Sequence, residues 1–317
     1  MPKKALKPIP LKNLFYLFSC LALVGSLLPL TPVDNFAIDL FSHFKSQYFL
    51  GLMFFGVVGL VYRRFRYSIV LFLGALLNLL HIAPIYFSQA SMNKNAFSQP
   101  LKLLHANVLS ANDQHRLLLQ QIKTESPDIV LLQEISSDWK NILNQELKQY
   151  QYRKVIARPD NFGIAIFSRV ELKTIDVKDW GNVGLPSFLV TFEWNNQLAN
   201  LAYTHPLPPV NREYYRLRNK QIEAMISELN ANDQPLIVAG DFNTTMWANS
   251  YSPFLSIGLV NVREGFGLYP TWPSQFGSLG IPIDHILVSD EITVKSTKIG
   301  NQIGSDHLPL ITELEIK

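Results

Sequence analysis

Along the first ninety residues, charged side chains are absent from three stretches: 13–33, 46–62 and 67–90. A helix needs about 20 apolar residues to cross a bilayer, with a usable range of roughly 17–25. The pattern therefore predicts three transmembrane helices at about those positions. Pro29 and Pro84 fall near segment ends, where lost helix hydrogen bonds matter least. Three apolar stretches in series exceed a cleaved signal peptide, so residues 1–92 read as a membrane anchor.

Beyond residue 100 the pattern changes to short apolar runs separated by polar turns. Residues 93–100 are polar and end in proline, which reads as a linker. Strands are predicted over 101–107, 128–133, 163–168, 187–194, 197–204, 235–239, 283–289 and 308–316. Asn195-Asn196 suits a hairpin turn. Helices are predicted after Asp113 as cap, ending at Ser126-Pro127, around Trp139, Ile142, Leu143 and Leu147, and over 211–230. Several strands follow one another without helices between them. That order favours an α/β architecture of two sheets packed face to face with helices outside.

The chain has 317 residues and a formal charge of +3, but the charge is unevenly placed. Before Phe97 the balance is +7; from Phe97 onward it is −4. The mildly acidic second part lacks the basic balance of a protein that grips long nucleic acid. Cys20 is the only cysteine, so no disulfide can form within the chain. Lys3, Lys4, Lys7 and Lys12 precede the first span, and Arg63, Arg64 and Arg66 link the second to the third. Basic residues favour the cytoplasmic side. Three crossings then place residues 101–317 outside the cytoplasm.

The candidate chemistry lies at strand ends, where rigid sheets present polar groups to loops. Glu134 follows one apolar run and is the first choice as a Mg²⁺ ligand, because that ion prefers oxygen and is held by one or two carboxylates. Asn107 ends another run and is placed to orient a metal or a phosphate oxygen; a turn asparagine is the competing reading. Asp241 and Asn243, two apart, would face one side of an extended strand end. Asp306-His307 pairs a carboxylate with an imidazole, and Asp284 is a candidate orienter for that histidine. His205 is another strand-end imidazole. Arg212, Arg216, Arg218 and Lys220 either face phosphate, with Arg218 the substrate-binding candidate, or form a solvated helix face.

Taken in order, His105-Ala106-Asn107, Leu132-Gln133-Glu134, residues 163–169, Tyr203-Thr204-His205-Pro206, Gly240-Asp241-Phe242-Asn243, residues 283–287 and Gly304-Ser305-Asp306-His307 resemble the endonuclease/exonuclease/phosphatase superfamily. The whole chain looks like bacterial inner-membrane members of it. The resemblance implies a four-layer α/β-sandwich and Mg²⁺- or Mn²⁺-dependent hydrolysis of a phosphate ester. It assigns Glu134, Asn107 and Asp306 to the metal, and Asp241 and Asn243 to the attacking water and the scissile phosphate. His307 with Asp284 would contact the phosphate, and His205 would lie near the leaving group. Leu109 stands where several nucleases of the superfamily carry an acidic residue, and no carboxylate partner for His205 is evident. Residues 258–280 are expected to form a substrate-facing loop. Expected partners are the lipid bilayer and a phosphate ester, whether lipid head group, small phosphoester or nucleic acid. No protein partner can be inferred. A catalytically inactive, membrane-bound recognition module of the same fold is the alternative.

Overall fold

The computed structural model describes residues 10–31, 33–87, 99–231 and 233–316. The chain divides into two compact units, Met1–Ala83 and Pro84–Lys317. Lys3, Lys4, Lys7, the end of the expected third span and linker positions 93–98 lie outside the described residues.

The first unit contains α1 (Leu11–Leu27), continued by a 3₁₀ turn to Leu30, α2 (Phe36–Ser42), α3 (Lys45–Val61) and most of α4 (Phe65–Phe87). By length and composition, Leu11–Leu30 and Phe65–Phe87 can each cross a membrane. The second expected span coincides with α3, which has 17 residues; a separate helix, α2, precedes it, and the two meet at a 68° bend. Asn35 caps α2 through its side chain, and the polar His43 and Lys45 flank the break between α2 and α3, so the link expected between the first two spans contains a short helix of its own. The bent pair would make a third crossing if it acts as one span. A Cβ at Gly56 would strike the Phe72 ring and one at Gly74 would strike the Leu23 side chain, so these glycines make room for side chains of the neighbouring helices.

The second unit holds twelve strands among the described residues. In chain order they are β1 (Leu101–Asn107), β2 (Ile129–Gln133), β3 (Tyr152–Ile156), β4 (Ile164–Ser168), β5 (Leu172–Lys178) and β6 (Ser187–Trp194). Then come β7 (Gln197–Tyr203), β8 (Leu236–Asp241), β9 (Val260–Asn261), β10 (Asp284–Val288), β11 (Ile292–Ile299) and β12 (Leu310–Ile316). They form two mixed six-stranded sheets, β11-β12-β1-β2-β4-β3 and β5-β6-β7-β8-β10-β9. Helices α5 (His115–Glu125) and α6 (Ser137–Glu146) cover the first sheet; α7 (Arg212–Leu229) and α8 (Ser252–Ser256) cover the second. This is the expected four-layer sandwich. One expected cap fails: Gln114, not Asp113, stands at the start of α5, and Asn112 Oδ1 takes the Gln114 N–H.

Alternation along the strands assigns each residue to a layer. Leu101 and Leu103 of β1, Ile129 and Leu131 of β2, Leu201 and Tyr203 of β7, Ile237 and Ala239 of β8, and Ile286 and Val288 of β10 form the core between the sheets. Leu104, Ala106, Val130 and Leu132 face outward onto Leu118, Ile122, Trp139 and Leu143. Ala202, Val238 and Leu287 face outward onto Ile222, Met225, Ile226 and Phe254. Burying each such Leu, Ile or Phe contributes about 1.5–3 kcal/mol.

Candidate active site

The inward-facing series turn polar at one end of the sandwich. Leu101 and Leu103 are followed at the same parity by His105 and Asn107, Ile129 and Leu131 by Gln133, Ile237 and Ala239 by Asp241. On the antiparallel β10, Asp284 precedes Ile286 and Val288. Packing the sheets face to face brings these ends together. Gln133 ties the seam: its Nε2 donates to the Thr204 carbonyl at 2.8 Å, and its Oε1 accepts the Asp241 N–H at 2.9 Å. Gly240 allows the close approach. Its φ of 147° suits glycine, and a Cβ there would strike the Thr204 carbonyl.

Asp241 Oδ2 is the hub. Asn107 Nδ2 donates to it at 3.3 Å, and His205 Nε2 and His307 Nε2 lie 3.5 and 3.7 Å away. His205 thus has a carboxylate partner after all, supplied across 36 residues of sequence by the strand next to its own. Asn107 Nδ2 also donates to Glu134 Oε1 at 3.0 Å, and Ser110 N–H donates to Glu134 Oε2 at 3.1 Å. Ser305 Oγ donates to the Asn107 carbonyl at 2.8 Å, which sets the Asp306-His307 turn beside β1.

Behind the hub runs a buried chain. His307 Nδ1 lies 2.8 Å from Asp284 Oδ2, and Asp284 Oδ1 lies 3.0 Å from His105 Nε2. His105 Nδ1 is 3.2 Å from the Tyr203 hydroxyl. Burial alone would lower the His307 pKa, but Asp284 and Asp241 reverse this and raise it to about 10, so the imidazole is held as a cation. Burial pushes Asp284 upward, yet His307 and His105 outweigh it and keep the carboxyl well below its usual range. Burial, with Asp284 and Asp241 nearby, raises Tyr203 well above 10 and keeps its hydroxyl a donor. His285, of opposite parity, stacks on Phe242 and lies 2.9 Å from both Asn261 Nδ2 and the Thr244 carbonyl. Burial and Arg263 push it down to about 3, so it is a neutral structural group.

Three expectations need correction. β8 ends at Asp241 and the chain turns, so Asn243 is left-handed (φ 50°), not extended. Its N–H donates to Asp241 Oδ1 at 2.9 Å and its side-chain amide to the Pro206 carbonyl at 3.0 Å. Arg218 is completely buried; its Nη1 donates to the Asn243 carbonyl at 2.9 Å, so it supports that turn instead of meeting substrate. Asn107 presents its NH₂ to the carboxylates while its Oδ1 takes the Leu109 N–H. In this geometry it spaces Glu134 from Asp241 instead of offering an oxygen. His105, Tyr203 and Gln133 were unassigned from sequence. The signal for His105 was its parity with Asn107.

The residues fit a divalent cation. Three buried carboxylates, from Glu134, Asp241 and Asp284, lie at this end of the sandwich with the half-buried Asp306 next to His307, and among the described residues no lysine or arginine lies within ion-pair distance of them. Trp272 Nε1 donates to Asp306 Oδ2 at 3.1 Å, leaving Asp306 Oδ1 buried without a hydrogen-bond partner. Glu134 adopts φ 63°, a conformation that costs a non-glycine residue about 1–3 kcal/mol and is held by its surroundings. Asp241, Asp284 and His307 also place one possible ligand atom each within 4.8 Å of one another. That trio is a poorer cage, because Asp284 is already shared by two histidines.

Residues 95–307 match the model of the Endonuclease/Exonuclease/phosphatase family. No curated protein sequence matches the chain. Among solved structures, D. rerio TDP2 complexed with a single-strand DNA product is 16% identical with a TM-score of 0.58, over 68% of this chain and 99% of that one. The human Nocturnin catalytic domain with bound sulfate is 20% identical with a TM-score of 0.57, over 69% and 95%. A family protein from Bacteroides thetaiotaomicron is 20% identical with a TM-score of 0.55, over 70% and 100%. At such identities the likeness is one of fold.

Proposed function

The chain belongs to the endonuclease/exonuclease/phosphatase family, whose members are hydrolases of phosphoester bonds, and from this we propose a membrane-anchored, divalent-metal-dependent phosphoesterase. It hydrolyses a phosphodiester or phosphomonoester by in-line attack of water. The observation that carries the reading is the convergence of Asn107, His205 and His307 on one Asp241 oxygen, with Glu134 joined through Asn107.

Glu134 and Asp306 would hold Mg²⁺ or Mn²⁺, with Asn107 setting the Glu134 carboxylate. When bound, the ion supplies charge stabilisation at the phosphoryl oxygens. Asp241 accepts a proton from the attacking water, oriented by Gln133 and by the Asn243 N–H. Asn243 itself lies at the rim where the phosphate enters. His307, kept cationic by Asp284, stabilises negative charge on the phosphoryl group, and His105 with Tyr203 fixes that carboxylate. His205 faces the leaving oxygen from the other side of Asp241.

The apolar helices support a multi-pass anchor, in a bacterial inner membrane on the resemblance of the whole chain. The basic residues around them support a domain arrangement of anchor (1–92), linker (93–100) and extracytoplasmic catalytic domain (101–317). Purified full-length chain with Mg²⁺ or Mn²⁺ is expected to hydrolyse members of a panel of plasmid DNA, single-stranded RNA, phospholipid and inositol phosphates. Glu134→Ala, Asp241→Ala and His307→Ala should each abolish measurable turnover; unchanged rates would refute the assignment. Protease added to spheroplasts should cleave the domain, and a protected domain would reverse the orientation.

A further inference from the structure

Two segments lead out of the site, and both lack Asp, Glu, Lys and Arg. Residues 203–211 run from beside His205 to the cap of α7 and expose Val210 (69%). Residues 265–283 include Trp272, bonded to Asp306, and then expose Phe276 (60%) and Leu279 (55%). Single exposed apolar residues are ordinary. Here they sit on two charge-free segments that both adjoin the catalytic side chains. Directly after Val210, α7 presents exposed Arg212, Arg216 and Lys220 four residues apart, hence on one face, although the chain from Phe97 onward is net acidic. The second segment is tied at its base to the Asp306 turn. Ser274 N–H donates to the Asp306 carbonyl at 2.7 Å, Ser274 Oγ to the Ser305 carbonyl at 2.9 Å, and Gln302 Nε2 to Ser274 Oγ at 2.6 Å.

We propose that these two rims dock on a phospholipid bilayer and feed head-group phosphates to the site. Val210, Phe276 and Leu279 enter the boundary of the acyl region, while Arg212, Arg216 and Lys220 meet anionic head groups. The occupant is argued from the apolar-plus-basic makeup of the rims and from the membrane-length helices of the same chain. The substrate half of the proposal rests on the phosphoesterase reading; the docking half does not. Hydrolysis breaks one P–O bond of the head-group ester, places the hydroxyl of water on phosphorus and leaves its remaining proton on the departing alkoxide.

The test uses the full chain in nanodiscs of phosphatidylcholine with a minority of phosphatidylglycerol, in a Cys20→Ser background. Phe276→Cys and Val210→Cys are labelled with an environment-sensitive fluorophore, and Lys123→Cys on the last turn of α5 serves as control. Labels at the two rims should shift to the blue and be quenched by doxyl-labelled lipid, while the control is not. Rim labels that stay in water, or that respond only to added single-stranded DNA, overturn the proposal. Phe276→Ser with Leu279→Ser should lower turnover of bilayer phospholipid about tenfold or more, because binding scales with buried apolar area. Hydrolysis of water-soluble bis(p-nitrophenyl) phosphate should be unchanged; an equal fall on both substrates overturns the proposal. If no ester is hydrolysed, the phosphoesterase reading fails while the fluorescence still decides docking.

Discussion

The two sheets of the second unit share one order of pair directions. Read across, each is antiparallel, antiparallel, parallel, antiparallel, antiparallel. In each, the parallel pair is central and a helix joins its strands, α5 between β1 and β2, α7 between β7 and β8. The rims differ. The first sheet ends in amides, one carboxylate and the imidazole that backs Asp284 (Asn107, Gln133, Glu134, His105), and the second in two carboxylates and an imidazole (Asp241, Asp284, His205). The turn before β12 sends His307 from the first sheet to Asp284 of the second, and His105, Asn107 and Gln133 also reach across the seam. One scaffold used twice thus offers two chemically distinct edges, and the site exists only where they meet. On the proposed function this difference would divide the labour: the first sheet would hold the cation, and the second would handle the proton and the phosphoryl charge.

That division can be broken most directly at its two carboxylates. Asp241→Asn should lower kcat by about 10³-fold or more, and raising Mn²⁺ should not restore it. Glu134→Gln should lose comparable activity at low metal but regain much of it as Mn²⁺ is raised, with weaker Mn²⁺ binding by paramagnetic resonance. Equal metal responses would end the distinction between the sheets.

Next in size is Asp284→Asn, expected to cost about 10²-fold in kcat by releasing His307. It also carries a pH signature. His307 is raised from 6.5 to about 10 in the fold, so its contribution to stability is complete below about 6.5 and is lost as pH rises through about 10. Metal-free full-length protein should therefore unfold at progressively lower temperature from neutral pH to pH 10, and Asp284→Asn should flatten that slope.

Smaller still, Gln133→Leu leaves the buried Asp241 N–H and Thr204 carbonyl unpaired, at about 1–3 kcal/mol for each group, measurable as a lower denaturation midpoint. The least effect is expected at the hairpin of the second sheet. Asn195 and Asn196 both have positive φ there (52° and 64°), so Asn196→Gly should stabilise by about 0.5 kcal/mol. The corresponding β12–β1 pair of the first sheet is not a hairpin, since its strands stand at opposite ends of the unit's sequence.

The eight interior strands were legible in the sequence because both their faces are buried, which writes a nearly continuous apolar run into the chain. The four strands that escaped, β3, β5, β9 and β11, are the four sheet edges. Tyr152–Ile156 and Leu172–Lys178 carry Arg153, Lys154, Lys173, Asp176 and Lys178 because one side of an edge meets water, and no local pattern then marks them as strands. The polar residues closing the interior runs were equally visible, including Glu134, Asp241, Asp284 and His307. What each one touches was not. That His307 reaches Asp241 and that His105 backs Asp284 depend on how one sheet seats on the other; that His205 meets Asp241, that Asn243 turns away from the strand direction and that Arg218 lies beneath it depend on strand pairing and helix packing in the second sheet's own half. Sequence fixes a side chain's parity on its own strand; only packing of the second sheet decides which group stands opposite.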